Sequence, residues 1–355
     1  MNPLDRPDTF RTMDPSGMIR KVMDLPLQCR DARARILKAP PRLNVHGVGN
    51  ILVTGLGGSA IGGDILRTLI AGKSRLPVVV NRHYVLPAWV GPRTLVVCSS
   101  YSGGTEETLS AFGDAVRKRA RILVVSSGGP ITARARRRRI PVCIVPTGYP
   151  PRSAFGYSFF TLLTALETLG LVPSHERDFR EAMALMERMS TGLAPHAPSA
   201  RNEAKRLALF LHGRLPIVYA GQGPMESVAL RWKGQLNENA KQVAIGNVVP
   251  EMNHNEVVGF TNAQPLLKGT AVVFLRDPRG DHSQVGRRFD ILRGVLAART
   301  AGVREARAQG RTVLGRMMTL LYLGDFTSVY LAYLKRVDPT PVEIIDRFKK
   351  ALSKR

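Results

Sequence analysis

The 355-residue sequence predicts an α/β protein made of two related halves, each with a parallel sheet covered by helices on both faces. In the N-terminal half, short apolar runs rich in β-branched residues alternate with stretches of helical spacing. Strands that are apolar along their whole length indicate a sheet that is buried on both faces, as parallel sheets are. The order of strand, glycine-rich turn and helix occurs twice, near residues 51–70 and 215–241. This repeat predicts that the second half has the same architecture as the first.

The elements of the N-terminal half follow from these patterns. Several short apolar runs have the length and composition of buried strands, and the stretches between them have the apolar spacing of helices. A longer helical stretch then leads into the second half. The predicted strands are residues 51–54, 78–80, 95–97, 122–125 and 142–145. The predicted helices are residues 61–69, 105–119, 132–139 and 154–193.

The pattern restarts after Pro195 and Pro198, which interrupt the helical stretch. A turn at residues 221–224 ends in a proline, which is favoured at the first position of a helix. The predicted strands here are residues 215–219 and 270–275, and the predicted helices are residues 225–241, 289–300, 314–336 and a basic helix opened by Pro341. The expected organisation is an N-terminal helical segment (1–40), a first domain (41–165), a helical linker (166–200) and a second domain (201–355).

The chain is strongly basic, with 52 Lys and Arg against 27 Asp and Glu, a net charge of +25. Such a charge suggests a nucleic-acid partner, and the densest basic run is residues 134–139. A nucleic-acid binder usually adds a helix-turn-helix, an aromatic stacking surface or a zinc module, and none is visible. We therefore interpret the run as a solvated helix end and predict no specific nucleic-acid partner.

Other features of the composition predict a cytoplasmic protein. No run of about 18 uncharged apolar residues occurs, so no membrane span is expected. The N-terminal residues have no apolar region of the kind that secretory signals contain. Cys29, Cys98 and Cys143 are far apart and odd in number, which fits a reducing compartment.

Two loops have the composition of phosphate-binding sites. Residues 55–64 are rich in glycine and lie between a predicted strand and helix, but no acidic residue follows about 20 positions later, as a dinucleotide site requires. Taken alone, this run is equally a tight turn. Residues 99–108 place several hydroxyl groups before a helix, where backbone N–H groups also bind anions. This second loop favours a phosphomonoester, although Thr105 and Thr108 could also act as ordinary helix caps.

Together, residues 57–59 (Gly-Gly-Ser) and 100–105 (Ser-Tyr-Ser-Gly-Gly-Thr) resemble the loops of sugar isomerase (SIS) domains. The closer similarity is to the archaeal-type bifunctional phosphoglucose/phosphomannose isomerase family, from about residue 40 to the C-terminus. Gly104 is a departure, because the family usually has Asn there. The resemblance implies two doubly wound SIS domains and a phosphosugar substrate. The residues that it implies for binding the phosphate are Gly57, Gly58, Ser59, Ser100, Ser102 and Thr105.

The stretches 232–241 and 247–256 contain candidate acid–base groups. From the residues alone, Glu238 could be a helix-surface acid and His254 an exposed loop residue, and Glu251 and Glu256 are rival bases. The Asn-Glu-Asn and Asn-His-Asn-Glu pairing resembles the family signature. It implies that Glu238 moves a proton between C1 and C2 through a cis-enediolate. It also implies that His254 assists ring opening from a neighbouring subunit, and hence a homodimer.

An enediolate also needs a cation to balance its charge. Arg152 follows Pro151 as in the Pro-Arg element of the family, although one arginine among many could equally be an ordinary surface residue. The last helix resembles the family element with an active-site lysine. We prefer Lys349, beside an expected buried face of Ile345, Phe348 and Leu352, with Lys350 as the alternative.

The expected reaction interconverts glucose 6-phosphate and mannose 6-phosphate with fructose 6-phosphate, without a cofactor or metal. The histidines lack metal-ligand spacing, and the enediol route needs only acid–base groups and fixed positive charge. Two alternatives remain. The chain could isomerise another phosphosugar on the same fold, or it could be a non-catalytic regulator that binds a sugar phosphate.

Overall fold

A computed structural model describes residues 3–262 and 265–352 of the chain. The first two residues of the expected N-terminal segment, and residues 263–264 and 353–355 of the expected second domain, lie outside the described residues. Two parallel sheets flanked by helices form the molecule, which confirms the predicted α/β fold class.

The first sheet contains the five strands predicted from the N-terminal half. Its strand order is β2-β1-β3-β4-β5, and each neighbouring pair is parallel. β1 and β3 are almost entirely buried, as expected for apolar strands covered by helices on both faces. The strands are β1 (Asn50–Thr54), β2 (Val78–Asn81), β3 (Thr94–Ser99), β4 (Arg121–Ser126) and β5 (Val142–Ile144).

The second sheet has the order β7-β6-β8-β9 and is also parallel. The two inner strands were predicted, whereas the two edge strands were not. β7 contains Gly246 and Asn247, and three of the five residues of β9 are charged, so neither has the apolar run of a buried strand. The strands are β6 (Leu215–Gly221), β7 (Ile245–Val249), β8 (Thr270–Arg276) and β9 (Val303–Arg307).

The predicted helices are present, with differences in extent. The helix predicted over 289–300 spans Ser283–Ala297, and the helices Glu203–Leu211 and Pro265–Lys268 were not predicted. The stretch 154–193 is two helices, separated by a turn in which Gly170 has a φ of 71°. The helix predicted over 225–241 ends at Glu238, and Lys241 then takes a left-handed conformation. The helices are α1 (Phe10–Met13), α2 (Met18–Met23), α3 (Leu25–Lys38), α4 (Gly57–Ile70), α5 (Glu106–Arg117), α6 (Gly129–Arg137), α7 (Phe155–Thr168), α8 (Glu176–Leu193), α9 (Glu203–Leu211), α10 (Pro224–Glu238), α11 (Pro265–Lys268), α12 (Ser283–Ala297), α13 (Val313–Leu334) and α14 (Glu343–Leu352).

The main hydrophobic core lies between the two sheets and has α13 at its centre. α4 and α10 pack against each other there, so the two sheets share one continuous core. In the described part of the chain, α13 alone is long and apolar enough to cross a membrane. Its most apolar stretch is 94% buried inside the protein.

In each sheet, the direction of strand addition reverses next to the first strand. The reversal lies between β1 and β3 in the first sheet and between β6 and β8 in the second. Ligands of doubly wound folds bind in the crevice that such a reversal creates at the carboxyl ends of the strands. The loops of residues 55–59 and 100–105 follow β1 and β3, so they lie at the crevice of the first sheet.

The crevice of the second sheet is occupied by carboxylates. Asp281 accepts a hydrogen bond from the backbone N–H of Asp277 at 3.0 Å, and its side chain packs so closely on Gly221 that a Cβ there would overlap it. Asp277 is buried and forms an ion pair with Arg316 at 2.8 Å. A carboxylate disfavours a phosphate, so Asp281 makes this crevice less suited to one than the crevice of the first sheet.

Replacing Asp281 by Asn is expected to stabilise the protein above pH 6. Burial, with the nearby charge of Asp277, raises the pKa of Asp281 from 3.8 to about 6. The folded state therefore binds a proton that the unfolded state has lost, and the stability of the wild-type protein falls as the pH rises from about 4 to about 6. The Asn variant lacks this penalty. Urea unfolding of both proteins at pH 4, 5, 6 and 7 measures the difference.

Asp290→Asn is the matched control, because Asp290 is exposed beside Arg276. Its unfolding free energy should track that of the wild-type protein across the same pH range. Two results would contradict the prediction. One is a difference in unfolding free energy between the Asp281 variant and the wild type that does not change with pH, and the other is a variant less stable than the wild type at pH 7.

Candidate active site

The glycine loop and the hydroxyl loop contact each other at the crevice of the first sheet. The backbone N–H of Tyr101 donates to Ser59 Oγ at 3.0 Å. Ser100 Oγ and Thr105 Oγ1 are 2.9 Å apart, and Ser102 Oγ accepts from the N–H of Gly104 at 3.3 Å. The structure thus brings the four predicted hydroxyl side chains to adjoining loops.

The glycines allow the close approach of these loops. Gly57 begins α4 with a φ of 51°, and Gly103 has a φ of 69°. A Cβ at Gly103 would overlap the carbonyl oxygen of Gly128, so only glycine fits between the hydroxyl loop and the loop after β4. α4 begins in the first loop, and α5 begins directly after Thr105, so both loops offer the free N–H groups of a helix N-terminus.

Gly104, the departure from the family pattern, lies in open space. A Cβ there would meet no heavy atom within 4 Å. The Cβ of another residue would fit at this position without moving its neighbours. Glycine therefore removes one polar side chain from the loop but does not relieve any crowding.

Gly58 brings the glycine loop against the segment with Arg152. Residues Pro151–Ser153 form a short 3-10 helix between β5 and α7. A Cβ at Gly58 would lie 2.8 Å from the carbonyl of Pro151 and 2.9 Å from the backbone nitrogen of Arg152. These distances are too short for any side chain, so glycine is required here.

Arg152 and Glu238 are adjacent. Arg152 Nη1 lies 3.4 Å from Glu238 Oε2, and the two side chains are 3% and 30% exposed. Burial lowers the pKa of the Arg152 guanidinium, and the charge of Glu238 opposes this effect. An arginine stays protonated in proteins, so the pair combines a fixed cation with a partly accessible carboxylate.

The rest of the Arg152 guanidinium is held by buried oxygen atoms. Nε donates to Asn239 Oδ1 at 2.6 Å. Nη2 donates to the carbonyl oxygens of Pro339 and Thr340 at 2.6 and 2.8 Å. Because segments distant in sequence hold it, the guanidinium has a fixed position beside Glu238.

A cavity of about 160 Å³ separates the glycine loop from α10. Three arginines line it, and Glu238 is the one carboxylate among its described lining residues. Arg231 is itself neutralised by a buried ion pair with Asp325 at 2.6 Å. A site of this kind can bind an anion, stabilise developing negative charge and transfer a proton. The lining residues are Gly57, Gly58, Ile61, Arg82, Arg152, Leu230, Arg231, Gly234, Gln235 and Glu238.

A second cavity, of about 820 Å³, lies on the other side of Glu238 between the end of α10 and the start of α14. Lys241 lines it and donates to the carbonyl oxygens of Glu238 and Pro339 at 2.8 and 3.0 Å. Burial and the charge of Arg152 lower the pKa of Lys241 to about 8. Sequence reasoning did not single out Lys241. The feature of the sequence that could have identified it is its position three residues after Glu238, in the same motif.

Two of the predicted site residues do not lie beside Glu238 in the structure. His254 is exposed at the end of a short 3-10 helix (Glu251–His254), and Lys349 is exposed on α14. Neither lines a cavity beside Glu238. Lys350, the alternative, is exposed on the same helix.

The prediction that α14 has a buried apolar face is wrong for the single chain. Ile345, Phe348 and Leu352 are 38%, 66% and 57% exposed, and no described residue of α14 is buried. The amphipathic pattern that predicted this face is real, but within one chain the apolar side chains of the helix are exposed along its whole described length.

The structure shows no metal-binding cluster among the residues that it describes. Across residues 3–262 and 265–352, no group of three or more His, Cys, Asp or Glu side chains is arranged to hold a metal ion.

Comparison with known proteins identifies the family. The bifunctional phosphoglucose/phosphomannose isomerase of Caldicellulosiruptor bescii is 41% identical to this chain over 336 residues, which cover 95% of this chain and 99% of the relative. The chain belongs to the bifunctional phosphoglucose/phosphomannose isomerase family. The member from Aquifex aeolicus is 35% identical and covers 86% of this chain and 90% of its own length.

Two further comparisons agree with membership of the bifunctional phosphoglucose/phosphomannose isomerase family. Residues 200–352 match the family described as "Bacterial phospho-glucose isomerase C-terminal SIS domain". The crystal structure of a glucose-6-phosphate isomerase like protein from Thermus thermophilus has a TM-score of 0.63 and 22% identity, and the match covers 96% of this chain and 98% of that one. That likeness confirms the fold. The resemblance inferred from residues 57–59 and 100–105 is likewise confirmed, and the roles of individual residues stay predictions.

Proposed function

We propose that this chain interconverts glucose 6-phosphate and mannose 6-phosphate with fructose 6-phosphate through a cis-enediolate. The observation that carries the proposal is the contact between the fixed guanidinium of Arg152 and the carboxylate of Glu238, at a cavity bordered by the glycine loop. Aldose–ketose isomerisation needs these two functions in one place, a base for a carbon-bound proton and a cation for the enediolate oxygen.

The phosphate would bind at the crevice of the first sheet. The hydroxyls of the two loops and the N-termini of α4 and α5 are neutral donors and partial positive charges that suit a phosphomonoester. These side chains need not be charged, because the helix dipoles and the nearby arginines supply the positive potential. The residues proposed for this role are Gly57, Gly58, Ser59, Ser100, Ser102 and Thr105.

Glu238 would then transfer the proton. Its carboxylate removes the proton from C2 of the open-chain aldose, and the electrons form the C1–C2 double bond while negative charge develops on the oxygen at C1. Arg152 balances that charge. The hydroxyl proton on the oxygen at C2 then moves to the oxygen at C1, and return of the carbon-bound proton from Glu238 to C1 forms the C2 carbonyl of the ketose. Glucose and mannose differ only at C2, which is planar in the enediolate, so one intermediate can serve both aldoses.

Ring opening would use groups that one chain does not place at its own cavity. We propose that His254 enters the site of a second copy, in a homodimer, and that Lys349 also acts in ring opening. Two observations support the proposal: His254 is exposed away from both cavities beside Glu238, and α14 leaves apolar side chains in solvent. An exposed apolar helix face of this kind is typical of a subunit interface.

The compartment that suits this function is the cytoplasm. Cys29, Cys98 and Cys143 are free and buried in the structure, so the fold does not require an oxidising environment. We therefore propose a cytoplasmic enzyme acting on a phosphosugar.

A coupled assay tests the proposed function. Purified protein treated with EDTA is given fructose 6-phosphate, and glucose 6-phosphate and mannose 6-phosphate are followed separately. Both products are expected, with the same rate before and after chelation, because the proposed steps use only side chains of this chain. Formation of glucose 6-phosphate alone would contradict the mannose activity. Binding of fructose 6-phosphate without either product would favour the non-catalytic regulator.

A further inference from the structure

Arg82 lies on the wall of the smaller cavity, beside the glycine loop. It follows Asn81, the last residue of β2, which pairs with Thr54 at the end of β1. The carbonyl oxygen of Asn81 accepts from the N–H of Gly55 at 3.2 Å, and the side chain of Asn81 donates to the carbonyl of His83 at 2.9 Å. The backbone on both sides of Arg82 is therefore fixed relative to the glycine loop.

One side of the Arg82 guanidinium is held by a buried carboxylate. Arg82 Nη2 forms an ion pair with Asp64 on α4, whose side chain is 6% exposed. The side chain of Arg82 remains 40% exposed and lines the cavity that Glu238 and Arg152 share. An arginine held on one side by a carboxylate is oriented, yet it retains N–H donors for a ligand on the other side.

The three arginines of this cavity differ in how many donors remain. Arg231 is bonded to both oxygens of Asp325 and to the carbonyl of Arg152. The donors of Arg152 go to Asn239, Glu238 and two backbone carbonyls, as described above. Across residues 3–262 and 265–352, Arg82 is hydrogen-bonded to Asp64 and to no other group. Arg82 therefore has the largest unused set of donors on the cavity wall.

The strand order indicates which part of a substrate Arg82 would meet. β1 lies between β2 and β3 in the sheet. The hydroxyl loop follows β3, whereas Arg82 follows β2, so the two lie on opposite sides of the glycine loop. A sugar with its phosphate at the hydroxyl loop would direct its other end toward Arg82, Arg152 and Glu238.

We propose that Arg82, positioned by Asp64, is a further substrate-binding residue that donates hydrogen bonds to the sugar oxygens at the end remote from the phosphate. The inference rests on the proposed function for the identity of the substrate. Arg82 would be a second guanidinium, besides Arg152, at the end of the site where the proton is transferred. It lies on the side of the cavity opposite α10.

Binding measurements on Arg82 variants test the inference without requiring turnover. The probes are inorganic phosphate and 5-phospho-D-arabinonate, a five-carbon aldonate whose carboxylate imitates the enediolate. Arg82→Met should weaken binding of the aldonate by about 10- to 100-fold, the effect of one charge-assisted hydrogen bond, and leave the affinity for phosphate within about twofold. Arg82→Lys should show a smaller loss of aldonate affinity, because an ammonium group keeps the charge but lacks the planar fork.

Arg67→Met is the matched control. Arg67 lies on α4, is 39% exposed and forms an ion pair with Glu226, yet it does not line the cavity. Its variant should bind both probes as the wild type does. Arg82→Met alone leaves the buried Asp64 carboxylate without its cation and is expected to lower the melting temperature. The double variant Asp64→Asn with Arg82→Met removes that charge as well. It should show the same loss of aldonate affinity but a melting temperature closer to that of the wild type.

Three results would overturn the inference. An unchanged aldonate affinity in Arg82→Met would show that Arg82 makes no contact with it. An equal loss of phosphate affinity would place Arg82 at the phosphate instead, and an equal loss in Arg67→Met would make the effect structural. Wild-type protein that binds the aldonate and shows the Arg82 effect, but does not isomerise, would contradict the proposed function alone.

Discussion

Replacing Glu238 by Gln is expected to lower the rate of isomerisation by about 10²- to 10⁴-fold, while the affinity for fructose 6-phosphate changes little. Glutamine has the same shape as glutamate but cannot accept the proton from C2. Glu238 is 30% exposed at the end of α10, and its neighbour Asn239, which holds Arg152, is untouched by the change. The variant should therefore keep the geometry of the site and lose its base.

The sharpest measurement of the Glu238 variant is exchange of the C2 hydrogen of glucose 6-phosphate in deuterium oxide, followed by NMR beside the turnover rate. Both should fall together, because both need the proton transfer. Glu251→Gln is the control, since Glu251 is an exposed rival base that contacts Asn255 at 2.9 Å. If Glu238→Gln retained exchange and Glu251→Gln lost it, the base would have to be reassigned.

Mixing two inactive variants is expected to restore activity. If His254 acts in the site of a second copy, a heterodimer of Glu238→Gln with His254→Ala contains one site with both lesions and one intact site. Random assortment makes about half of the dimers mixed, so about a quarter of the wild-type activity should return. The measurement is the activity of co-refolded variants with different affinity tags, from which the mixed dimer is then purified.

The control for the mixing experiment pairs Glu238→Gln with Arg152→Met. These two residues contact each other within one chain, so no combination of chains gives an intact site and no activity should return. A purified mixed dimer of the Glu238 and His254 variants that stays inactive would place His254 in the site of its own chain. Failure to form any dimer would contradict the shared site altogether.

In the second sheet, the sequence predicts the inner strands and misses the edge strands, for a physical reason. A strand covered on both faces must be apolar throughout, so β1, β3, β6 and β8 stand out. The edge strands β7 and β9 have partners on one side and charged or small residues along their length, and their pattern does not differ from that of a loop. The extra turn predicted for α10 has a similar origin, because Asn239 and Ala240 do not interrupt a helical pattern.

The sequence likewise predicts one part of the candidate site and not the other. That the loops after β1 and β3 lie together follows from the crevice rule, once a parallel sheet is assumed. The contact of Arg152 with Glu238 joins residues 86 apart in the sequence, and no local pattern encodes it. Arg82 follows an unremarkable strand, and only the sheet places it at the cavity.

The apolar face of α14 shows a further limit of sequence patterns. Amphipathic spacing predicts that a helix has a side to bury, and the spacing in α14 is correct. It does not encode what covers that side. A face buried by the same chain and a face reserved for another chain have the same periodicity.

The way in which Arg152 is held links the geometry of the site to residues that are synthesised long after it. Its guanidinium is bound by Asn239 from the middle of the chain and by the carbonyls of Pro339 and Thr340 near its end. Until residues 339–340 have been synthesised and docked, the Arg152 guanidinium lacks two of these hydrogen bonds. If Arg152 balances the charge of the enediolate as proposed, this charge is held in place only once these two carbonyl groups have docked beside it.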